Sequence, residues 1–306
     1  MLRFTRSNPR GTKLEDDIHD YDYEQEPQGA ESFFDLKIDK RSKRFLEAIK
    51  ALHRPNILEV GMGQGQFLKK IAKLRPDVRL YGVDISKTAI GTARKDRALK
   101  GKFIVGDAQR LPFPKNHFNV VVIIDVLEHL DNPSRAILEA KRVLKPGGLF
   151  HFYVPCEGQP LTLCWFLRKT NFLGLKNFTK INFGHVQYFS QAEIKKLTDP
   201  HFSKIVISYS AHWISQLFHL LTLYLPKKLL FLLGRDTQRK LRDAYKPKAK
   251  KGSRRSLIAA LKSAWLILIF PVSMVYEVEA MLLKNLSFGA QGLHFTGQKN
   301  TKDLSR

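Results

Sequence analysis

Residues 57–65 read Ile-Leu-Glu-Val-Gly-Met-Gly-Gln-Gly, and the order of residue types across them decides the fold. Ile57–Val60 is a short apolar run of the kind that forms a buried strand. Gly61, Gly63 and Gly65 follow at alternate positions. Phe67–Leu74 then carries apolar residues at helical spacing and is closed by Arg75-Pro76. Glycine is required where a backbone turns tightly and must approach a ligand closely. The helix that follows offers free N–H groups to an anionic group. A dinucleotide fingerprint needs Gly-x-Gly-x-x-Gly. Its third glycine would fall at Gln66 counted from Gly61, and at Leu68 counted from Gly63. A phosphate-binding loop fails as well, because no Gly-Lys-Ser/Thr follows.

Outward from this stretch the pattern alternates. Upstream, Phe33–Leu52 reads as a helix, with Phe34, Ile38, Phe45, Ile49 and Leu52 near 3.6 spacing and Pro55 beyond it. Downstream, strands are predicted at Leu80–Val83, Phe103–Val105, Val120–Asp125 and Leu149–Val154, with helices at Lys87–Arg97 and Ser134–Leu144. The continuous run Val120–Ile124 predicts a central strand buried on both faces. Alternating strands and helices imply a parallel, doubly wound α/β sheet. In such sheets ligands bind beyond the carboxyl ends of the strands, and three acids fall there: Asp84, Asp107 and Asp125. Asp84 can accept both hydroxyls of a ribose, or cap the next helix, as Ser86 also can. Asp107 can accept an exocyclic amine, or serve as an ordinary turn residue.

The stretches LEVGMGQGQF (58–67), YGVDIS (81–86), VGDAQRLPF (105–113), HFNVVVIIDVLEHL (117–130) and RVLKPGG (142–148) resemble the class I S-adenosylmethionine-dependent methyltransferases. They are most similar to the subgroup that includes the quinone-biosynthesis enzymes. The resemblance implies a Rossmann-like, mostly parallel seven-stranded sheet and S-adenosylmethionine as cofactor. It implies that Gly61, Gly63 and Gly65 cradle the methionine part and that Glu59 supports the loop. Asp84 would hold the ribose with Ile85 against the adenine, Asp107 and Ala108 would meet the adenine edge, and Asp125 and Val126 would flank the sulfonium. Met62 stands where many relatives carry cysteine. Phe202–Ser208 and Gly292–Gln298 fit the antiparallel pair that closes this fold, with Gln191–Leu197 a short helix before them.

Methyl transfer from a sulfonium is an in-line displacement, so the protein chiefly aligns the reacting groups and excludes water. A general base helps when the nucleophile is a hydroxyl or an acidic carbon. The candidates are His129, in Glu128-His129-Leu130, and His185, in Gly184-His185-Val186. His129 also reads as a residue that packs its loop, whereas His185 is expected on the substrate side. No metal cluster is read from the sequence.

Charge is spread unevenly. The chain of 306 residues carries a net +24, and residues 157–306 hold 24 Lys and Arg against 8 Asp and Glu. Such asymmetry points to an anionic partner surface. Residues 1–32 read as an irregular acidic arm, 33–209 with 289–299 as the methyltransferase domain, and 210–288 as a helical insert between strands six and seven. Within the insert, Trp213–Leu225 and Ser263–Tyr276 carry no formal charge, and positions 226–255 hold 12 Lys and Arg. The apolar runs, at 13 and 14 residues, are shorter than the ~20 needed to span a bilayer. Apolar segments flanking a basic linker suit an anionic membrane surface. A lid over a soluble small-molecule or sugar site is the second reading. The third is an RNA-binding or assembly factor, which the single aromatic of 239–255, Tyr245, supports poorly. Two cysteines, Cys156 and Cys164, form neither a disulfide framework nor a metal spacing. Without an apolar run in the first 22 residues, the expectation is a cytoplasmic protein, peripheral on the cytoplasmic face of a membrane and acting on an apolar or lipid-like acceptor.

Overall fold

A computed structural model describes residues 40–221, 225, 278, 279 and 281–300. The expected acidic arm, the first residues of the helix read from Phe33, residues 222–224, the basic stretch 226–255 and the whole second apolar run, 263–276, lie outside them. Seven strands form one sheet: β1 (Asn56–Val60), β2 (Arg79–Asp84), β3 (Gly101–Val105), β4 (Phe118–Ile124), β5 (Leu144–Pro155), β6 (Phe202–Ser210) and β7 (Gly292–Lys299). Their order across the sheet is β3-β2-β1-β4-β5-β7-β6. β1 to β5 pair in parallel, and β7 runs antiparallel between β5 and β6. Strand order reverses beside β1, so the crevice opens at its carboxyl end, next to β4.

Burial on both faces explains the unbroken apolar run of β4. Val121 and Ile123 pack with Ala136, Ile137 and Ala140 of α4 (Pro133–Val143). Val120 and Val122 pack on the other side with Phe45 and Ile49 of α1 (Lys40–Ile49), Leu68 and Ile71 of α2 (Gln66–Leu74), and Ile90 and Ala93 of α3 (Lys87–Lys95). Each such large side chain, fully buried, contributes roughly 1.5–3 kcal/mol relative to exposure.

Helix starts follow local chemistry. Ser86 caps α3 by accepting the Ala89 N–H at 3.0 Å, and Asn132 caps α4 ahead of Pro133. Ser190 and Glu193 form a capping box at the start of α7 (Gln191–Thr198). Two short helices, α5 (Leu163–Thr170) and α6 (Phe178–Phe183), come before it, where the sequence pattern predicted no elements. β5 begins at Leu144, not Leu149: its first residues, including Lys145-Pro146-Gly147-Gly148, join the strand across an irregular register opposite Phe118 and Val120.

Residues 211–291 connect β6 to β7; the described ends of that connection are tied to each other, and Trp213 and Gln216 tie its start to Leu161 and Leu163. α8 (Trp213–His219) receives a remote cap, because Glu279 accepts the backbone N–H groups of Ile214 and Ser215 and the Ser215 hydroxyl. His212 donates through Nε2 to the Leu286 carbonyl at 2.8 Å, and the Trp213 indole donates to the Leu161 carbonyl. Among the described residues no helix is long and apolar enough to cross a membrane.

Candidate cofactor and active site

A cavity of about 570 Å³ opens beyond the carboxyl ends of β1 to β4. Glu59, Gly61, Gly63, Asp84, Ile85, Asp107, Ala108, Asp125, Val126 and His129 all line it. The Gly61 and Met62 N–H groups both donate to the Val83 carbonyl, folding the loop back over β2. The Asp84 carboxylate then accepts from Gly63 N–H at 2.7 Å and from Ser86 N–H at 2.9 Å, pinning the loop to the start of α3. Space is the reason for glycine here. A Cβ on Gly61, at φ +73°, would lie 2.2 Å from a Val126 methyl. Gly65 differs from its neighbours: it does not line the cavity. It turns the chain into α2 at φ +84°, where a Cβ would strike Leu99 at 2.3 Å, so its part is in shaping the turn.

Glu59 is buried, and burial followed by the Asp84 charge pushes its carboxyl well above the usual range. It accepts from the Leu68 N–H, which binds it to the first turn of α2, but Oε2 has no hydrogen-bond partner. Asp107 adopts the turn geometry, accepting the Gln109 N–H at 2.8 Å, while still lining the cavity. Ile85 is 64% exposed although it follows a buried strand, leaving a flat apolar surface at the cavity mouth. Asp125 sits at φ +52°, a conformation disfavoured for a side chain with a Cβ. Its carboxylate pairs with Arg41 of α1, whose guanidinium stacks 4.1 Å above the Tyr153 ring.

The two histidines come together, their ring centres 5.0 Å apart and their planes at 77°. His129 is on the cavity wall, its Nδ1 donating to the Gly184 carbonyl at 3.2 Å. Burial, with His185 alongside, lowers its pKa to about 4, so the ring is neutral near pH 7. His185 is buried behind it, not among the lining residues, and its Nδ1 is 3.0 Å from Glu157 Oε1. The expected placement of the two is therefore exchanged: the loop that delivers His185 is clamped inward, because Val186 and Gln187 N–H both donate to the Glu128 carbonyl. Sequence reading passed over Arg41, Glu128 and Glu157. Glu128 was visible only as the residue before His129, and the other two lie on distant segments.

With the site described, similarity to known proteins can be placed on it. Residues 58–152 match the family model described as a methyltransferase domain. That span covers β1 through most of β5, hence the whole glycine-loop and strand-end acid arrangement.

The chain carries a class I S-adenosylmethionine-dependent methyltransferase domain.

This methyltransferase domain is 34% identical over 113 residues to a ubiquinone/menaquinone biosynthesis C-methyltransferase of Ectopseudomonas oleovorans, covering 35% of this chain and 66% of that protein. It is 33% identical over 102 residues to a sterol 24-C-methyltransferase of Gibberella zeae, covering 32% and 27% respectively. The matches thus span from about a quarter to two thirds of these relatives' own length. A crystal structure of an S-adenosylmethionine-dependent methyltransferase from Archaeoglobus fulgidus shares the fold, with a TM-score of 0.50 and 17% identity over 90% of this chain and 98% of that one. The residues present fit the cofactor of the family. The partnerless Glu59 oxygen is a buried acceptor suited to an ammonium group, and the Gly61–Val126 approach leaves a cradle that any Cβ would fill.

Proposed function

We propose that the protein is an S-adenosylmethionine-dependent methyltransferase whose acceptor is an apolar, lipid-like molecule met at the anionic cytoplasmic face of a membrane. One observation carries the methyl-transfer reading: the glycine turn and three acids, at four successive strand ends, share one cavity, with a buried Glu59 oxygen still in need of a donor. When bound, the cofactor supplies an electrophilic methyl group on a sulfonium. The chain's part is to seat it: Glu59 and the Gly61–Gly63 turn take the amino-acid end, Asp84 the ribose, Asp107, Ala108 and Ile85 the adenine. Asp125 and Val126 then stand nearest the reacting end, beside neutral His129, which can take a proton from an acceptor hydroxyl or acidic carbon.

Support for an apolar acceptor comes from the relatives named for quinone and sterol methylation. Exposed apolar side chains on one part of the domain agree with it: Phe172 and Leu173 follow α5, and Trp213, Ile214 and Leu217 lie on α8, which packs against α5. The basic stretch 226–255 would add about 1 kcal/mol of attraction per Lys or Arg held near an anionic surface. Flotation of the full chain with phosphatidylglycerol vesicles at low salt tests the membrane part. Recovery with the vesicles, lost on deleting 235–255, is expected; a protein that stays in the soluble fraction refutes it. Titration with S-adenosylhomocysteine tests the cofactor, and a lipid extract showing a mass gain of one methylene with the cofactor present would reveal the acceptor.

A second reading, the soluble small-molecule or sugar methyltransferase, is favoured by the tethering of both described ends of 211–291 to the domain: the Trp213 indole donates to the Leu161 carbonyl, the Leu163 N–H to Gln216, and the Gln191 amide to the Ser287 carbonyl. In that case the connection acts as a lid, and vesicle binding is absent in the full chain and the deletion alike.

A further inference from the structure

We propose that Glu128, His129 and His185 form a divalent-cation site in the cavity wall, best matched to zinc. Each residue offers one ligand atom, and the three lie within 4.8 Å of one another. Glu128 and His129 come from a single 3-10 turn, Leu127–His129, that follows β4. His185 arrives from the loop after α6, fixed by the two N–H donations of Val186 and Gln187 to the Glu128 carbonyl.

The carboxylate of Glu128 is the second, independent observation. The residue is 1% exposed, and neither of its oxygens has a hydrogen-bond partner. Burying a carboxylate without donors costs several kcal/mol, and buried carboxyl groups hold their proton, pair or coordinate metal ions. Arg41, whose charge also acts on Glu128, hydrogen-bonds Asp125.

Tautomers agree. The Gly184 carbonyl can only accept, so His129 Nδ1 carries the proton and Nε2 holds the lone pair. Glu157 does the same for His185, making a carboxylate–histidine pair of the sort that orients a metal-binding imidazole. Two imidazoles and one carboxylate are a zinc donor set with one position open; magnesium and calcium prefer oxygen alone. Ligand atoms around one ion at ~2.1 Å sit roughly 3.4 Å apart, so side-chain rotations of about an ångström close the site. His129 is the member on the cavity wall, which sets the open position beside Asp125 and Val126. With the ion bound, His129 Nε2 is a ligand and no longer a base, so on the methyltransferase reading the open position would itself take an oxygen of the acceptor and ease loss of its proton.

The test uses the untagged full chain, stripped with a chelator and titrated with Zn²⁺ alone and with Co²⁺ alone. Expected are about one equivalent of each ion per chain and visible Co²⁺ absorption of a low-coordinate site. Glu128→Gln and His185→Gln should each weaken Zn²⁺ binding at least about tenfold, and Glu157→Gln less. Far-UV circular dichroism on the same samples checks folding. If a variant does not fold, the wild-type stoichiometry and Co²⁺ spectrum still decide. Wild type that binds far below one equivalent, or folded variants that bind as tightly as wild type, overturn the site. S-adenosylhomocysteine binding, measured in parallel, keeps the two readings apart: its absence would sink the methyltransferase reading and leave the metal site standing, and the reverse holds.

Discussion

The two walls of the cavity are assembled by different means. On the glycine side the glycine turn and the acids sit beyond the ends of successive strands, and hydrogen bonds of the backbone fix the loop: Gly61 and Met62 to Val83, Gly63 and Ser86 to Asp84. On the histidine side the groups come from a 3-10 turn, the loop after α6, the residue pair beyond β5 and a helix near the start of the described chain. The first wall is an inherent product of a parallel sheet, whose strand ends share one edge. The second exists only when distant segments pack. Substitutions on the glycine side should therefore act on cofactor affinity, and those on the packed side on stability or acceptor chemistry.

Gly61→Val should have the largest effect on the glycine wall. Its side chain would collide with Val126 at a positive φ, and S-adenosylhomocysteine affinity should fall roughly 100-fold or more while the helical circular dichroism signal persists. Asp84→Ala comes next. It removes the acceptor for two loop N–H groups and the expected ribose partner, for a loss of about 30-fold by calorimetry.

Glu59→Gln sharpens the contrast, because it should separate affinity from stability. Cofactor affinity should drop by about tenfold as the carboxyl acceptor is lost. The folded protein holds the Glu59 proton to higher pH than the unfolded chain does, whose value is near 4.5. Stability from this group is therefore full below that pH and declines as pH rises through the folded value. Melting temperature measured from pH 5 to 8 should fall less in Glu59→Gln than in wild type. An unchanged slope would show that burial does not strain this carboxylate.

The smallest effect is expected from Glu279→Gln, on the packed side. Loss of the charged cap on α8 should cost about 1 kcal/mol of stability by denaturant titration and leave cofactor affinity within about twofold. A large loss of affinity would mean that the 211–291 connection reaches the cofactor.

Much of the first wall was legible in the residues themselves. Gly61, Gly63, Asp84, Ile85, Asp107, Ala108, Asp125 and Val126 all line the cavity, because each ends or follows a strand of a parallel sheet. Gly65, expected in the cradle, stands at the turn into α2 and not among the lining residues; spacing cannot tell a glycine that faces a ligand from one that turns the chain into a helix. α5 and α6 were missed because they are short and apolar, giving too few turns for periodicity to register. The early start of β5 was missed because Pro146-Gly147-Gly148 is ordinary turn chemistry, overridden by pairing with β4.

Sequence alone determined the sheet, its glycine turn and the row of strand-end acids, since these depend on period, residue type and local hydrogen bonding. Tertiary structure alone decided that His129 and not His185 would face the cavity, that Arg41 would answer Asp125, and that Glu128 would be buried without a donor. Those outcomes depend on which distant segments meet, and no local pattern along the chain encodes the meeting.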